Sequence, residues 1–314
     1  MLDIKNKKVA VIGSGLIGRA WAIVFARAGL QVNIYDQSKT ALNDCLGLTQ
    51  SLLEDAQKAG LLKESVSVIL SRIHLAETLE SACSEVFFVQ ENIRETVEAK
   101  LEIFAELDHL TPSTAVLASS TSWLPTSLFT ERLPGRSRCL VGHPTNPPYL
   151  IPLVEVSPAP WTDPQTIDRA IKFYAAVEQE PVLVKKEIHG FLLNRVQGAV
   201  LNEMLNLYEE GYASSTDLDK VMKFGLGLRW SFMGPFETID LNAPDGVVDY
   251  AERYGQTYAN VSKTQKNNNW DAQVIAEIDS ERRSILKKEE LETRSRWRDN
   301  RLMNLRKHQQ DQPK

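Results

Sequence analysis

The chain holds 314 residues, 43% of them hydrophobic and 25% charged, with a net charge of −5. That is length for a buried core and for one large or two ordinary domains, in a composition typical of globular proteins. The acidic balance excludes nucleic acid as a main partner, and no apolar run approaches the ~18 residues of a membrane span. Asp3, Lys5, Lys7 and Lys8 precede a very short apolar stretch, which is no secretion signal, so a cytoplasmic location is expected. Cys45, Cys83 and Cys139 are odd in number and far apart. They read as small buried apolar residues in a reducing compartment, with no metal or redox motif.

Val9–Ile12 reads as a buried parallel strand and Arg19–Ala28 as a helix, with Gly13, Ser14, Gly15, Leu16, Ile17 and Gly18 between them. This Gly-x-Gly-x-x-Gly spacing has a physical reading. Gly13 permits the tight turn, Gly15 lets a pyrophosphate approach the backbone, and Gly18 lets helix and strand pack closely. The helix start then offers free N–H groups and a positive dipole end to phosphate. A second strand, Gln31–Tyr35, ends on Asp36, where the dinucleotide fingerprint places an acid for the adenosine ribose. Its charge favours NAD over NADP, because it would repel a 2′-phosphate. Leu42, Leu46, Leu53 and Ala56 then predict a helix over 40–60, with Gly60 as its cap, before a late strand at 72–75. Lys58 and Lys63 in this excursion read as solvated, with a substrate phosphate as the other use.

Val86–Val89 is a continuous apolar run, hence a buried strand. Gln90, Glu91, Glu95 and Lys100 follow at the carboxyl end, where ligands sit in open α/β sheets. Glu95 and Lys100 are either cofactor contacts or the charged face of a helix running to Leu107. Ala115–Ala118 is the next strand, and Ser119 to Ser122 place hydroxyls at the same edge, as caps or as ligand contacts. The strand from Cys139 then delivers His143 into a proline-rich loop ending at Pro148. In the strand Leu153–Val156, Glu155 is the one charge in an apolar run, and a buried carboxylate there needs a partner. His143 is the natural one, either as a base with its orienting acid or as a satisfied core pair.

A helix from Thr162 to about Glu178 and a strand at Val182–Val184 close the alternating pattern. From Ile188 on it becomes all helix. The domains are therefore expected at 1–188, binding dinucleotide, and 189–314, all helical, to which the resemblance stated below assigns substrate binding and dimerisation. Phe191–Tyr212 reads as a mostly apolar central helix, with Asn194 and Arg195 near its start. Helices are expected at 218–224, 235–241 and 247–254. Gly225–Trp230 reads as a loop in which Arg229 suits a carboxylate ligand or an interface salt bridge. The stretch 271–310 is dense in both charges and reads as solvated or subunit-packing helix.

These stretches together resemble the 3-hydroxyacyl-CoA dehydrogenase family, and within it the lambda-crystallin/L-gulonate 3-dehydrogenase branch. The resemblance rests on residues 11–21, 118–122, 142–149, 152–156, 190–195, 225–230, 234–238 and Trp297-Arg298-Asp299, in order along nearly the whole chain. It implies a Rossmann-type doubly wound α/β sheet followed by an all-helical C-terminal domain, NAD as cofactor, and a homodimer built mainly through the helical part. It also implies His143 as catalytic base, Glu155 as the acid that orients it, and Ser122 and Asn194 as the groups holding the substrate oxygen. Asp36, Glu95 and Lys100 match cofactor-contacting positions, and Asn146 and Arg229 are the further substrate candidates. Pro144-Thr145 and Pro147-Pro148-Tyr149 depart from the aromatic and apolar stretch of fatty-acid members. That favours a small polar hydroxy acid over an acyl-CoA. Hydroxyacyl-CoA and carnitine-dehydrogenase-like activities stay open as alternatives, as does an NAD-binding structural protein without activity.

Overall fold

The computed structural model describes residues 4–312. Strand β1 (Lys8–Ile12) buries every residue after Lys8, as a parallel strand covered on both faces must. Helix α1 (Leu16–Arg27) follows, with Trp21 and Phe25 among its buried residues. Strand β2 (Gln31–Tyr35) pairs with β1 in parallel. Helix α2 (Lys39–Lys58) is capped by the Ser38 hydroxyl, and α3 (Val66–Leu70), β3 (Ile73–Leu75) and α4 (Leu79–Cys83) complete the excursion. The sequence reading missed α3 and α4. At 5 residues each they are too short for apolar periodicity to reveal them, and hydroxyl caps at Ser65 and Thr78 start them instead.

Strand β4 covers Phe88–Glu91 rather than 86–89. Gln90 and Glu91 extend it because each finds partners inside the protein. Helix α5 (Val97–Leu110) starts behind the cap Thr96, so Glu95 precedes the helix instead of opening it. Strand β5 (Val116–Ser119), helix α6 (Ser127–Thr130), strand β6 (Cys139–Pro144), strand β7 (Leu153–Pro158), helix α7 (Pro164–Ala176) and strand β8 (Glu180–Leu183) follow. The 8-stranded sheet has the order β3-β2-β1-β4-β5-β6-β7-β8. All pairings are parallel except β6 with β7. The chain reverses direction across the sheet between β1 and β4, which opens a crevice at their carboxyl ends, the usual ligand position in such sheets. One apolar cluster on the sheet is built around Trp21, Phe25, Phe88, Phe173 and Tyr174, and another around Phe104, Phe129 and Phe191.

The chain divides into two compact units, one reaching to Arg195 and resuming at Arg298, the other Val196–Trp297. This differs from the expected cut at 188. The turn after residue 188 and the last residues of the chain belong with the sheet, and Met303 is part of its core. Helix α8 (Leu193–Glu209) was expected to be buried and central, but within it Leu205 and Asn206 alone are buried. The second unit continues with α9 (Ser215–Lys220), a π-helical turn (Val221–Leu226) and α10 (Gly227–Trp230). The loop expected at 225–230 is thus helical. Gly227 serves that winding: a Cβ there would stand 2.8 Å from the Met222 carbonyl oxygen. Helices α11 (Pro235–Leu241), α12 (Gly246–Ser262), α13 (Ala272–Ile285) and α14 (Leu291–Asp311) complete the chain. No described helix is long and apolar enough to cross a membrane.

Candidate active site

The glycine loop between β1 and α1 is shaped by contact on two sides and left open on the third. Gly13 has φ +96°, and a Cβ on it would lie 2.7 Å from the Asn92 carbonyl oxygen. A Cβ on Gly18 would lie 1.8 Å from the Gly13 carbonyl oxygen, so helix and strand meet there without side chains. A Cβ on Gly15 would meet nothing within 4 Å. That open flank continues into a groove of about 320 Å³, lined by Gly13 and Gly15, by Tyr35 and Asp36 on one wall and by Asn92 and Ile93 on the other. The donor set and the bare backbone fit a dinucleotide. Asp36 Oδ2 accepts from the Ser14 N–H at 2.7 Å and hydroxyl at 2.9 Å, and Oδ1 accepts from the Ser38 N–H at 2.8 Å. The acid therefore braces the loop as well as standing at its wall. Leu16 is exposed and Ile17 partly buried at the start of α1.

Beneath this edge lies a buried polar floor. The Lys100 ammonium, 1% exposed, donates to both Glu91 oxygens at 2.6 and 2.8 Å and to the Ile93 carbonyl at 3.2 Å. Glu91 also accepts from the Ser119 hydroxyl at 2.6 Å and, at 2.5 Å, the Ile93 N–H. Lys100 was expected on the cofactor. Its side chain is instead turned inward, where it neutralises Glu91 and fixes the backbone at Ile93. Beside it, the Gln90 amide donates to Ser120 Oγ at 2.7 Å and to the Gly142 carbonyl at 3.1 Å, and accepts from the Tyr174 hydroxyl at 2.7 Å. Burial holds the Tyr174 phenol well above its ordinary pKa, so it stays a donor. Gly142 is required here, because a Cβ would lie 1.8 Å from that hydroxyl. The residue before His143 is thereby tied to the loop that carries Ser122.

Glu95 closes that loop. One carboxylate oxygen accepts from the Thr121 hydroxyl at 2.7 Å and from the Ser122 and Trp123 N–H groups at 2.5 and 2.8 Å. Asn194 Nδ2 donates to the Ser122 carbonyl at 2.9 Å. Ser122 and Asn194 are therefore neighbours.

His143 and Glu155 face each other across β6 and β7 in register, 5% and 1% exposed. His143 Nδ1 lies 2.9 Å from Glu155 Oε2. Glu155 Oε1 accepts from the Leu192 and Leu193 N–H groups at 2.7 and 2.9 Å, at the start of α8. The carboxylate thus has a partner for each oxygen, with the positive end of a helix beside it. The turn that aims those amides has positive φ at Gly190 (+74°) and Phe191 (+48°), which is uncommon for an aromatic residue. Phe191 is fully buried with its ring 5.5 Å from the imidazole. The sequence reading took Phe191 as the opening of a helix. Two left-handed residues in succession were not visible in it, although Gly190 was a partial signal.

Asn146 is exposed in the loop after β6, and its bond to Pro147 is cis. Arg229 is exposed on α10 in the second unit, within electrostatic reach of Tyr250, whose phenol the Tyr258 hydroxyl holds above its ordinary pKa. Lys58 and Lys63 are solvated and paired with Asp55 and Glu178. Among the described residues no group of histidine, cysteine and acidic side chains could hold a metal, and all three cysteines are free and buried.

Comparison with known proteins agrees with this geometry. Residues 8–188 match the NAD binding domain of 3-hydroxyacyl-CoA dehydrogenase, and residues 190–284 match its C-terminal domain. The lambda-crystallin homolog of Rattus norvegicus is 43% identical over 263 residues, covering 82% of this chain and 81% of the rat protein. An L-carnitine dehydrogenase of Burkholderia mallei is 35% identical, covering 78% of this chain and 76% of its own. Among solved structures, an NAD+-dependent dismutase, 5-formyl-3-hydroxy-2-methylpyridine 4-carboxylic acid 5-dehydrogenase, superposes with a TM-score of 0.85 at 25% identity, covering 98% of this chain and all of that one. The chain belongs to the 3-hydroxyacyl-CoA dehydrogenase family and is an NAD-dependent oxidoreductase.

Proposed function

We propose that the protein oxidises the 3-hydroxy group of a small hydroxy acid, an L-gulonate 3-dehydrogenase-like activity, with His143 as the base. The observation that carries this reading is Glu155, held between His143 Nδ1 and two backbone amides. An ionised carboxylate can only accept, so it draws the imidazole proton to Nδ1 and leaves Nε2 with a free lone pair. Nε2 takes the substrate hydroxyl proton, and Glu155 steadies the imidazolium that results. Asn194 gives one amide proton to Ser122 and keeps the other for the substrate oxygen. Among the described residues the Ser122 hydroxyl makes no hydrogen bond, which leaves it for the same oxygen. Charge developing there is stabilised by these fixed donors.

NAD, when bound, supplies the hydride acceptor. The loop from Gly13 to Gly18 would hold its pyrophosphate and Asp36 a ribose hydroxyl, with Glu95 as a further cofactor contact. Lys100 serves this site from below, by holding the backbone at Ile93.

Asn146 and Arg229 are the proposed substrate contacts, Arg229 with its guanidinium fork for a carboxylate. A thioester substrate is the second reading, favoured by the 37% identity to a 3-hydroxyacyl-CoA dehydrogenase of Gibberella moniliformis. The helical part after residue 188 is proposed to serve substrate binding and pairing with a second copy, in the cytoplasm. Its exposed Phe224, Leu228, Phe232 and Phe236 support an apolar interface. The test follows NADH absorbance at alkaline pH with L-gulonate and (S)-3-hydroxybutyryl-CoA in parallel. Turnover with the free acid and none with the thioester is expected. The reverse result would replace the substrate assignment with the second reading.

A further inference from the structure

A second cavity, of about 240 Å³, is lined by Arg27, Lys63, Glu64, Tyr149, Glu178 and Arg306 among others. Arg27 ends α1, so the cavity lies at the opposite end of that 12-residue helix from the glycine loop, about 18 Å away by helix rise. It is therefore separate from the dinucleotide groove.

Most charges here are already matched. Lys63 pairs with Glu178, Glu64 with Arg72, and Lys307 with Asp311. Asp55 and Asp299, which act on Tyr149, pair with Lys58 and Arg298. What is left over consists of donors. The Tyr149 side chain is 5% exposed, yet its hydroxyl is buried with no hydrogen-bond partner among the described residues. Arg27 donates from Nη1 to the Tyr149 carbonyl at 2.9 Å, while its buried Nε has no partner. Arg306 forms no ion pair among the described residues. Burial holds Arg27 below its ordinary pKa; Glu178 opposes that and Arg306 adds to it. The Glu178 carboxylate, already paired with Lys63, is the acid that both guanidinium groups feel, and it leaves the Arg27 Nε and the Tyr149 hydroxyl without an acceptor.

Leaving buried donors unmatched costs free energy, and a guanidinium has no acceptor to offer, so the complement is an oxyanion. We propose that this cavity binds a compact oxyanion of two or more charges, inorganic phosphate or a small polycarboxylate, at Arg27, Arg306 and the Tyr149 hydroxyl. The occupant touches the helix that carries the glycine loop and the loop that follows His143. It would act as an effector rather than as substrate.

The test uses full-length protein saturated with NAD, so that the glycine loop is already filled. Phosphate, citrate and acetate are titrated by calorimetry into the wild type, Arg306→Gln and Tyr149→Phe. Saturable binding of phosphate or citrate to the wild type is expected, weakened 10-fold or more in Arg306→Gln and about 3-fold in Tyr149→Phe. The KM for NAD and the melting curve without anion should stay as in the wild type. Phosphate alone binding points to a phosphate or phosphomonoester, citrate alone to a polycarboxylate, and either result supports the site. No saturable heat with either anion, acetate binding as tightly as both, or unchanged affinity in Arg306→Gln would overturn it.

Discussion

The two compact units solve the problem of burial differently. In the first, strands β1, β4, β5 and β6 are buried almost along their length, and polar side chains inside the protein answer one another: Lys100 with Glu91, His143 with Glu155, Gln90 with Tyr174. In the second, α12 and α10 bury no residue, and Phe232 and Phe236 stand 73% and 80% exposed. Large apolar side chains left in water mark a surface that another surface covers. The first unit thus answers its buried polar groups within itself, whereas the second leaves apolar side chains exposed, the face proposed above to meet a second copy.

The comparison can be broken or sharpened by experiment. Removing the proposed base, His143→Ala, should lower kcat by about 10²–10⁴ at every protein concentration, because His143, Glu155, Ser122 and Asn194 all belong to the first unit. An NADH assay over a dilution series checks both points. Lys100→Met leaves Glu91 buried without its counter-ion, and should cost about 3–5 kcal/mol in urea unfolding, with the double variant Lys100→Met, Glu91→Leu recovering part of it. Phe232→Glu with Phe236→Glu should weaken association by about 2 kcal/mol or more while sparing NAD binding. Sedimentation at several concentrations reads the first and NADH fluorescence the second. A variant as associated as the wild type would remove the contrast between the units. The last effect concerns the thiols and builds up only with pH. Burial pushes Cys83 and Cys139 up to about 12, above the unfolded value near 8.5. In the folded protein the protons stay on, so stability is unaffected below pH ~8.5 and falls from there toward pH 12, by at most ~1.4 kcal/mol per pH unit for each thiol. Urea midpoints from pH 7 to 10 would show that slope, and slow thiol labelling of the native protein should accompany it.

Much of the first unit was legible because its signals are local. The run Val9–Ile12, the glycine spacing and Asp36 need nothing beyond their own neighbourhood. The pairing of His143 with Glu155 was legible for another reason: one carboxylate in an apolar strand demands a partner, and few were on offer. The amides that hold the other Glu155 oxygen were not legible, since backbone groups are the same in every sequence and the turn at Gly190 and Phe191 follows from long-range packing. Lys100 misled in the opposite way. A lysine at a ligand edge reads as exposed, and its burial is decided by Glu91, whose own place inside β4 was missed. In the second unit, glycines 225 and 227 suggested a loop where they permit a π-helical turn.

The anchoring of Glu155 also sets an order of events in folding. Its amide partners lie 37 and 38 residues further along the chain. As the chain emerges during synthesis, β6 and β7 exist before those amides do, and closing the sheet then would bury a carboxylate with one oxygen unanswered. The sheet is free to settle around His143 only after residues 190–193 have arrived and turned. In a refolding protein, dehydrogenase activity is therefore expected no earlier than the turn at residues 190–193, which brings those amides to Glu155.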